Sequence, residues 1–189
     1  MRADGVGLQG ARRILLHGVT GSGKTTLAAR LSELTGLPWF EADSLTWQPG
    51  WVQSPAGEQR RVMSELCAED SWILDCAYRS WADVVLARAE LVVGLDYPRW
   101  LSLGRLLRRT VTRNVRGTEI CNGNTESWGR TFSKDSIVRW HFHSFRSKRD
   151  RLLAWEADPA MPPVRRFRSP AALEQWLATV TAEQREGSR

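Results

Sequence analysis

The sequence predicts an α/β three-layer sandwich built on a mostly parallel sheet, and three observations carry that expectation. A short apolar run, residues 12–17, feeds directly into a glycine-rich stretch and then into a helix with helical leucine spacing. Further apolar runs at 72–74, 91–95 and 164–167 alternate with helical patterns, as βαβ units do. The length of 189 residues suits one domain. The expected organisation is a single domain over 1–178 with a lid-like insertion at about 99–135, followed by a disordered tail over 179–189.

Each element has its own signal. Leu27, Leu31 and Leu34 give the helix at 25–34 a buried face, and Gly36 with Pro38 stops it. Leu37 to Ala42 reads as a second strand ending near Asp43, and the Pro-, Gly- and Trp-rich stretch 46–57 as a loop beside a site. A helix is expected over 56–70 with Val62, Leu66 and Cys67 inward, and another over 82–89. Pro98 ends the strand at 91–95. The basic segment 100–115 reads as a helix with Leu101, Leu106, Leu107 and Val111 on one side, and 117–133 as a loop or lid tip. Residues 136–153 are helical, with Ile137, Trp140 and Phe145 as packing candidates. The last helix, 170–180, turns Leu173, Trp176 and Leu177 inward and leaves a frayed tail.

Composition narrows the class. The chain is 42% hydrophobic and 25% charged, the balance of a globular domain rather than of a disordered or fibrous chain. It has no run of 18 apolar residues for a membrane span and no signal-like apolar segment at its start, so a cytoplasmic location is expected. Cys67, Cys76 and Cys121 match no zinc spacing and read as reduced thiols. Ten tryptophans either pack in the core or line a cleft.

The most specific signal is Gly18-Val19-Thr20-Gly21-Ser22-Gly23-Lys24-Thr25, which matches G-x-x-x-x-G-K-[ST] in the required strand–loop–helix context. Gly18, Gly21, Ser22 and Gly23 let the backbone turn its N–H groups toward an anion, and the helix start adds its positive dipole end. Lys24 reaches the β- and γ-phosphates, Thr25 offers a hydroxyl to Mg²⁺, and Thr26 reaches the α-phosphate. The expected ligands are ATP and Mg²⁺.

Two aspartates close strands on the loop's rim. Asp75 follows the apolar run Trp72–Leu74 and is a candidate magnesium ligand, or alternatively a capping residue. Asp43 lies where open α/β sheets bind ligands and is a candidate to orient an acceptor hydroxyl or take its proton, or alternatively a loop aspartate bonded to its own backbone. Asp96 reads as structural.

The formal charge is +6, and residues 99–116 hold six arginines and no acid. Arg105, Arg109 and Arg113 stand four apart on one helical face. Such a face suits the charge of a transferring phosphoryl group, which assigns Arg109, Arg113 and Arg116 a catalytic role. A solvated basic helix and a nucleic-acid contact are the alternatives, and no recognisable nucleic-acid module accompanies the cluster. Trp47, Trp51, Tyr78 and Arg79 are candidate acceptor-binding residues, and the aromatics either clamp a flat base or belong to the core.

The chain resembles the small adenylate-kinase-like P-loop proteins of the DNA topology modulation protein family. The resemblance rests on residues 18–51 with their D-S-L-x-W-x-P-G-W run, WILDCAY at 72–78, RAELVVGLDYPRW at 88–100, RLLRRTVTR at 105–113 and RFRSPAALEQWL at 166–177. It implies a nucleoside-monophosphate-kinase-like fold with a five-stranded parallel core and an arginine-bearing lid, similar in layout to shikimate and gluconate kinases. It further implies that Asp75 matches the strand-end aspartate of adenylate kinases and that Arg168 sits near the donor base. Asp75-Cys76-Ala77-Tyr78 stands where the family more often has Asp-Gly-Asn-Tyr, a departure on the acceptor side. The leading expectation is a phosphotransferase acting from Mg-ATP on a nucleotide or nucleoside. The alternatives are a kinase of a shikimate- or gluconate-like acid, sugar or antibiotic hydroxyl, and a nucleotide-dependent regulatory or nucleic-acid-associated protein.

Overall fold

Three apolar runs assemble the centre of the molecule. Arg13–Gly18 (β1) pairs in parallel with Trp72–Leu74 on one side and Leu91–Leu95 on the other. The computed structural model describes residues 8, 10–116, 119–120, 122, 124–125 and 136–187. In chain order the elements are β1, α1 (Lys24–Thr35), β2 (Trp39–Phe40), α2 (Ala42–Thr46), β3 (Trp47–Gln48), β4 (Val52–Gln53), α3 (Ala56–Ala68) and β5 (Trp72–Leu74). They continue with α4 (Ala82–Leu86), β6 (Leu91–Leu95), α5 (Arg99–Arg116), β7 (Glu119–Ile120), β8 (Asn124–Thr125), α6 (Ile137–Ala157), β9 (Val164–Phe167) and α7 (Pro170–Gly187).

The five-stranded sheet runs β2-β5-β1-β6-β9, all parallel. Successive residues of each strand serve opposite faces. Ile14 and Leu16 of β1, with Leu91, Val93 and Leu95 of β6, pack under α1 and α7 against Leu27, Leu31, Trp176 and Val180. Leu15 and Val92 point the other way, to Met63, Trp81, Val85 and Leu152 of α3, α4 and α6. The near-continuous burial of β1, β5 and β6 follows from helices covering both faces. Gly94 is required by α6: a Cβ there would lie 2.5 Å from the Leu152 side chain.

The structure corrects several sequence-based boundaries. The second strand is only Trp39–Phe40, because α2 starts at Ala42 with Asp75 accepting its backbone N–H. Met63 rather than Val62 is fully buried on α3, and that helix ends at Ala68, while α4 ends at Leu86. On α5 the inward residues are Ser102, Leu106 and Thr110, spaced by four; Leu107 and Val111 are exposed. On α6 the buried positions are His141, Ser144 and Leu152, while Trp140 is exposed. The last helix continues to Gly187, past the expected end at 180. Between α5 and α6, β7 and β8 form a short hairpin, and the rest of the expected lid tip lies outside the described residues.

Candidate functional site

β1 runs between β5 and β6, so the chain leaves it at the point where the sheet's connections diverge, the place where open parallel sheets bind ligands. The loop that follows is shaped by close packing. At Gly18 a Cβ would lie 2.7 Å from Ser22 Oγ and 2.9 Å from the Leu95 carbonyl. Gly21 has φ +82° and leaves no room for a side chain: a Cβ would collide with the Ser102 carbonyl and sit 2.9 Å from Leu106 Cβ. The phosphate loop is thus wedged against α5. Gly23, at φ +100°, caps α1 with no side-chain hydrogen bond, which leaves the helix's first N–H groups free for an anion. Ser22 Oγ is buried with no partner, an orphaned donor inside the loop.

Lys24 Nζ donates to the Val19 carbonyl at 3.2 Å, folded back over its own loop. Burial pushes its pKa down to about 8, and the nearby Lys148 ammonium adds to the effect, against the carboxylates of Asp75 and Asp43. Lys148, on α6, donates to the Gly18 carbonyl at 3.4 Å and so brings a second ammonium to the loop. His17, buried at the end of β1, is held neutral: desolvation lowers its pKa to about 3, while its Nε2 meets the Lys148 carbonyl at 2.9 Å.

Thr25 Oγ1 donates to Asp75 Oδ2 at 2.9 Å, and Asp75 Oδ1 accepts the Ala42 N–H at 3.0 Å. One carboxylate therefore joins the starts of α1 and α2. Burial pushes the Asp75 carboxyl up, opposed by the Ala42 N–H and the Lys24 charge. A cation beside Asp75 would offset that desolvation, so the Thr25–Asp75 pair fits Mg²⁺. Among the described residues no group of three or more His, Cys, Asp or Glu side chains forms a protein-only metal cage.

These groups open onto a cleft of about 1970 Å³. Gly21–Thr26, Tyr97, Pro170, Leu173 and the Arg30–Glu174 ion pair line it. Asp43, Trp47, Trp51 and Tyr78 line it as well. Arg105, Arg109 and Arg113 line it from α5, and Arg139 and His143 from α6. Arg105 also donates to the Ser22 carbonyl at 3.2 Å and lies over the Tyr97 ring at 5.3 Å.

The cleft gathers most of the residues singled out from the sequence. Gly18 lies beneath the loop rather than on the wall, and Arg79 and Arg168 are exposed and do not line the cleft. Arg116 ends α5, and its side chain lies outside the described ones. Asp96 is structural, its carboxylate paired with Arg166 at 3.1 Å and Arg149 at 3.4 Å. Sequence reasoning missed Lys148, Arg139 and His143. Their helix carries basic residues on several faces, and no spacing rule distinguishes the ones that reach the loop.

The sequence matches no protein-family profile and no curated protein. Solved structures do match. A shikimate kinase from Acinetobacter baumannii in complex with shikimate superposes with a TM-score of 0.58 at 17% identity, over 95% of this chain and 96% of that one. A gluconokinase from Sinorhizobium meliloti 1021 gives 0.51 at 16% identity, over 93% and 94%. A shikimate kinase from Aquifex aeolicus VF5 gives 0.50 at 13% identity, over 93% and 98%. The fold is the nucleoside-monophosphate-kinase-like P-loop fold, related to that of the shikimate and gluconate kinases. Among the described residues no helix is long and apolar enough to cross a membrane.

Proposed function

We propose that this protein is a small-molecule kinase that moves the γ-phosphoryl group of ATP to a hydroxyl of a polar metabolite. The observation that carries the reading is that a phosphate loop and a separately held carboxylate, Asp43, face one cleft roomy enough for two substrates. The loop amides, Ser22 and Lys24 bind the donor phosphates. Thr25 and Asp75 would hold Mg²⁺, which would supply positive charge against that of the donor phosphates. Arg109 and Arg113 stabilise the charge of the moving group, and Asp43 accepts the acceptor's proton.

Two observations favour a non-nucleotide acceptor such as a hydroxy acid or polyol. The superposable structures are shikimate and gluconate kinases. The cleft also presents charged and polar groups, Arg139, Gln53 and His143, in addition to Asp43. A nucleotide acceptor is the second reading. It is favoured by the Trp47–Trp51 pair, edge to face at 6.1 Å, and by the residue runs shared with the adenylate-kinase-like DNA topology modulation proteins. Arg105, Arg109 and Arg113 turn into the cleft, which favours a small phosphorylated ligand over a nucleic-acid track for α5.

The test is ADP formation from Mg-ATP across shikimate, gluconate, sugars, aminoglycosides, nucleosides and nucleoside monophosphates, with Lys24→Ala as control. Stimulation by one acceptor, lost in the control, is expected. Tight Mg-ATP binding without stimulation by any of them would contradict the kinase reading.

A further inference from the structure

Asp43 does not stand alone in the cleft. Its Oδ1 accepts a short hydrogen bond from the Tyr78 hydroxyl, and that hydroxyl in turn accepts one from Trp47 Nε1 at 3.1 Å. The three residues come from α2, from the first residue of β3 and from the loop after β5. The indole N–H goes to the phenol and the phenol proton to Asp43 Oδ1. Among the described residues no hydrogen bond falls on Asp43 Oδ2.

The relay is braced from behind. The Tyr78 ring packs edge to face on Trp81 at 5.4 Å, and Trp81 is fully buried. Trp81 Nε1 donates to Gln59 Oε1 at 3.2 Å, and Gln59 Nε2 donates to the Ser54 carbonyl at 2.6 Å. Ser54 N–H closes the circuit on the Thr46 carbonyl at 2.9 Å, next to Trp47. A hydrogen-bond circuit therefore fixes the phenol on both sides. This is more support than an exposed acceptor-contacting tyrosine needs.

We propose that Tyr78, held by Trp47, is a positioning residue for the phosphoryl-transfer base, occupying Asp43 Oδ1 so that Oδ2 alone meets the acceptor hydroxyl. The inference rests on the kinase reading above. In the step it serves, the acceptor O–H bond breaks and its proton passes to Asp43 Oδ2. The acceptor oxygen bonds to the γ-phosphorus, and the bond to the β–γ bridging oxygen breaks, leaving ADP with the electron pair. Tyr78 keeps its own proton throughout, since burial and the adjacent Asp43 charge push its ionisation far above the usual tyrosine range. It orients the base without entering the transfer.

The proposal has a kinetic signature that a packing role lacks. Removing the donor to Oδ1 frees the Asp43 rotamer, so that Oδ2 is no longer held toward the acceptor while the Tyr78 ring stays in place. In Tyr78→Phe the ring and its contact with Trp81 remain. The variant is expected to lose about tenfold or more in kcat, with acceptor KM within about twofold of wild type. Trp47→Phe, which removes only the outer donor, is expected to shift the same quantities in the same direction by less.

A Tyr78→Phe enzyme with wild-type kcat would overturn the proposal. So would a loss confined to KM, since that would make Tyr78 a direct acceptor contact. The Asp43 carboxylate carbon is also followed by ¹³C NMR at neutral pH in both proteins without substrate, using Asp43→Asn for assignment. This separates failure of the inference from failure of the kinase reading. A displaced Asp43 carboxylate signal in Tyr78→Phe, from loss of the hydrogen bond to Oδ1, is expected even if no acceptor in the panel is used, and an unchanged signal would overturn the proposal. Should Tyr78→Phe fail to fold, Trp47→Phe carries both measurements, with unchanged kinetics and an unchanged signal as the contrary result.

Discussion

Lys24 shows how burial and charge set the working range of a single residue. An ammonium desolvated in the cleft and facing Lys148 gives up its proton near pH 8 instead of above 10. A bound triphosphate favours the charged form and raises that pKa. The sign follows: affinity for Mg-ATP is complete below about 8 and falls as pH rises through it. A calorimetric titration from roughly pH 7.5 to 9.5 is expected to show Kd rising by up to about tenfold per pH unit at the upper end. Lys24→Met should bind weakly and without that slope, and a flat wild-type profile would contradict this electrostatic account. Lys24 itself was legible in the sequence because its motif fixes both residue type and spacing. The Lys148 that tunes it was not. It comes from α6, far along the chain, and the packing of Leu152 on Gly94, the Ser102–His141 hydrogen bond and the His17–Trp155 ring contact bring that helix over the loop.

At the scale of elements, the phosphate loop and α5 are built as one unit. Gly21 meets Ser102 and Leu106 of the helix, and Arg105 of the same helix returns to the Ser22 carbonyl. A side chain at Gly21 faces both an unfavourable backbone conformation and the Ser102 carbonyl. Gly21→Ala is therefore expected to weaken Mg-ATP binding by about tenfold or more and to speed amide exchange in the first turns of α5. Wild-type affinity with unchanged exchange would show that the loop tolerates separation from the helix. The helix was evident from its arginines and leucines, but its facing was misread. Leu107 and Val111 looked like the buried side, whereas Ser102, Leu106 and Thr110 are inward. Ser102 faces in because its carbonyl meets Gly21 of the phosphate loop and its hydroxyl meets His141 Nε2 of α6 at 3.0 Å. A pattern of hydrophobicity alone does not register that contact.

On the scale of the whole molecule, the sheet order brings distant segments to one rim. β1 supplies the loop, the turn after β2 supplies Asp43, the end of β5 supplies Asp75 and Tyr78, and α5 supplies Arg109 and Arg113. The parallel α/β plan was readable from the alternation of apolar runs and helices, and Asp43 and Asp75 from their places at strand ends. The Tyr78–Trp47 relay was not, because its partners are 31 residues apart and only the braced loop of residues 46–55 joins them. Arg168, assigned by resemblance, and Arg79, assigned by its closeness to Asp75 in sequence, are both exposed and do not line the cleft.

The most direct test of the account compares acceptor-stimulated ADP formation and Mg-ATP affinity in wild type and Asp43→Asn. The account predicts unchanged Mg-ATP affinity and a fall in kcat of about a hundredfold or more, as loss of a general base produces. An Asp43→Asn protein that turns over acceptor at the wild-type rate would contradict it.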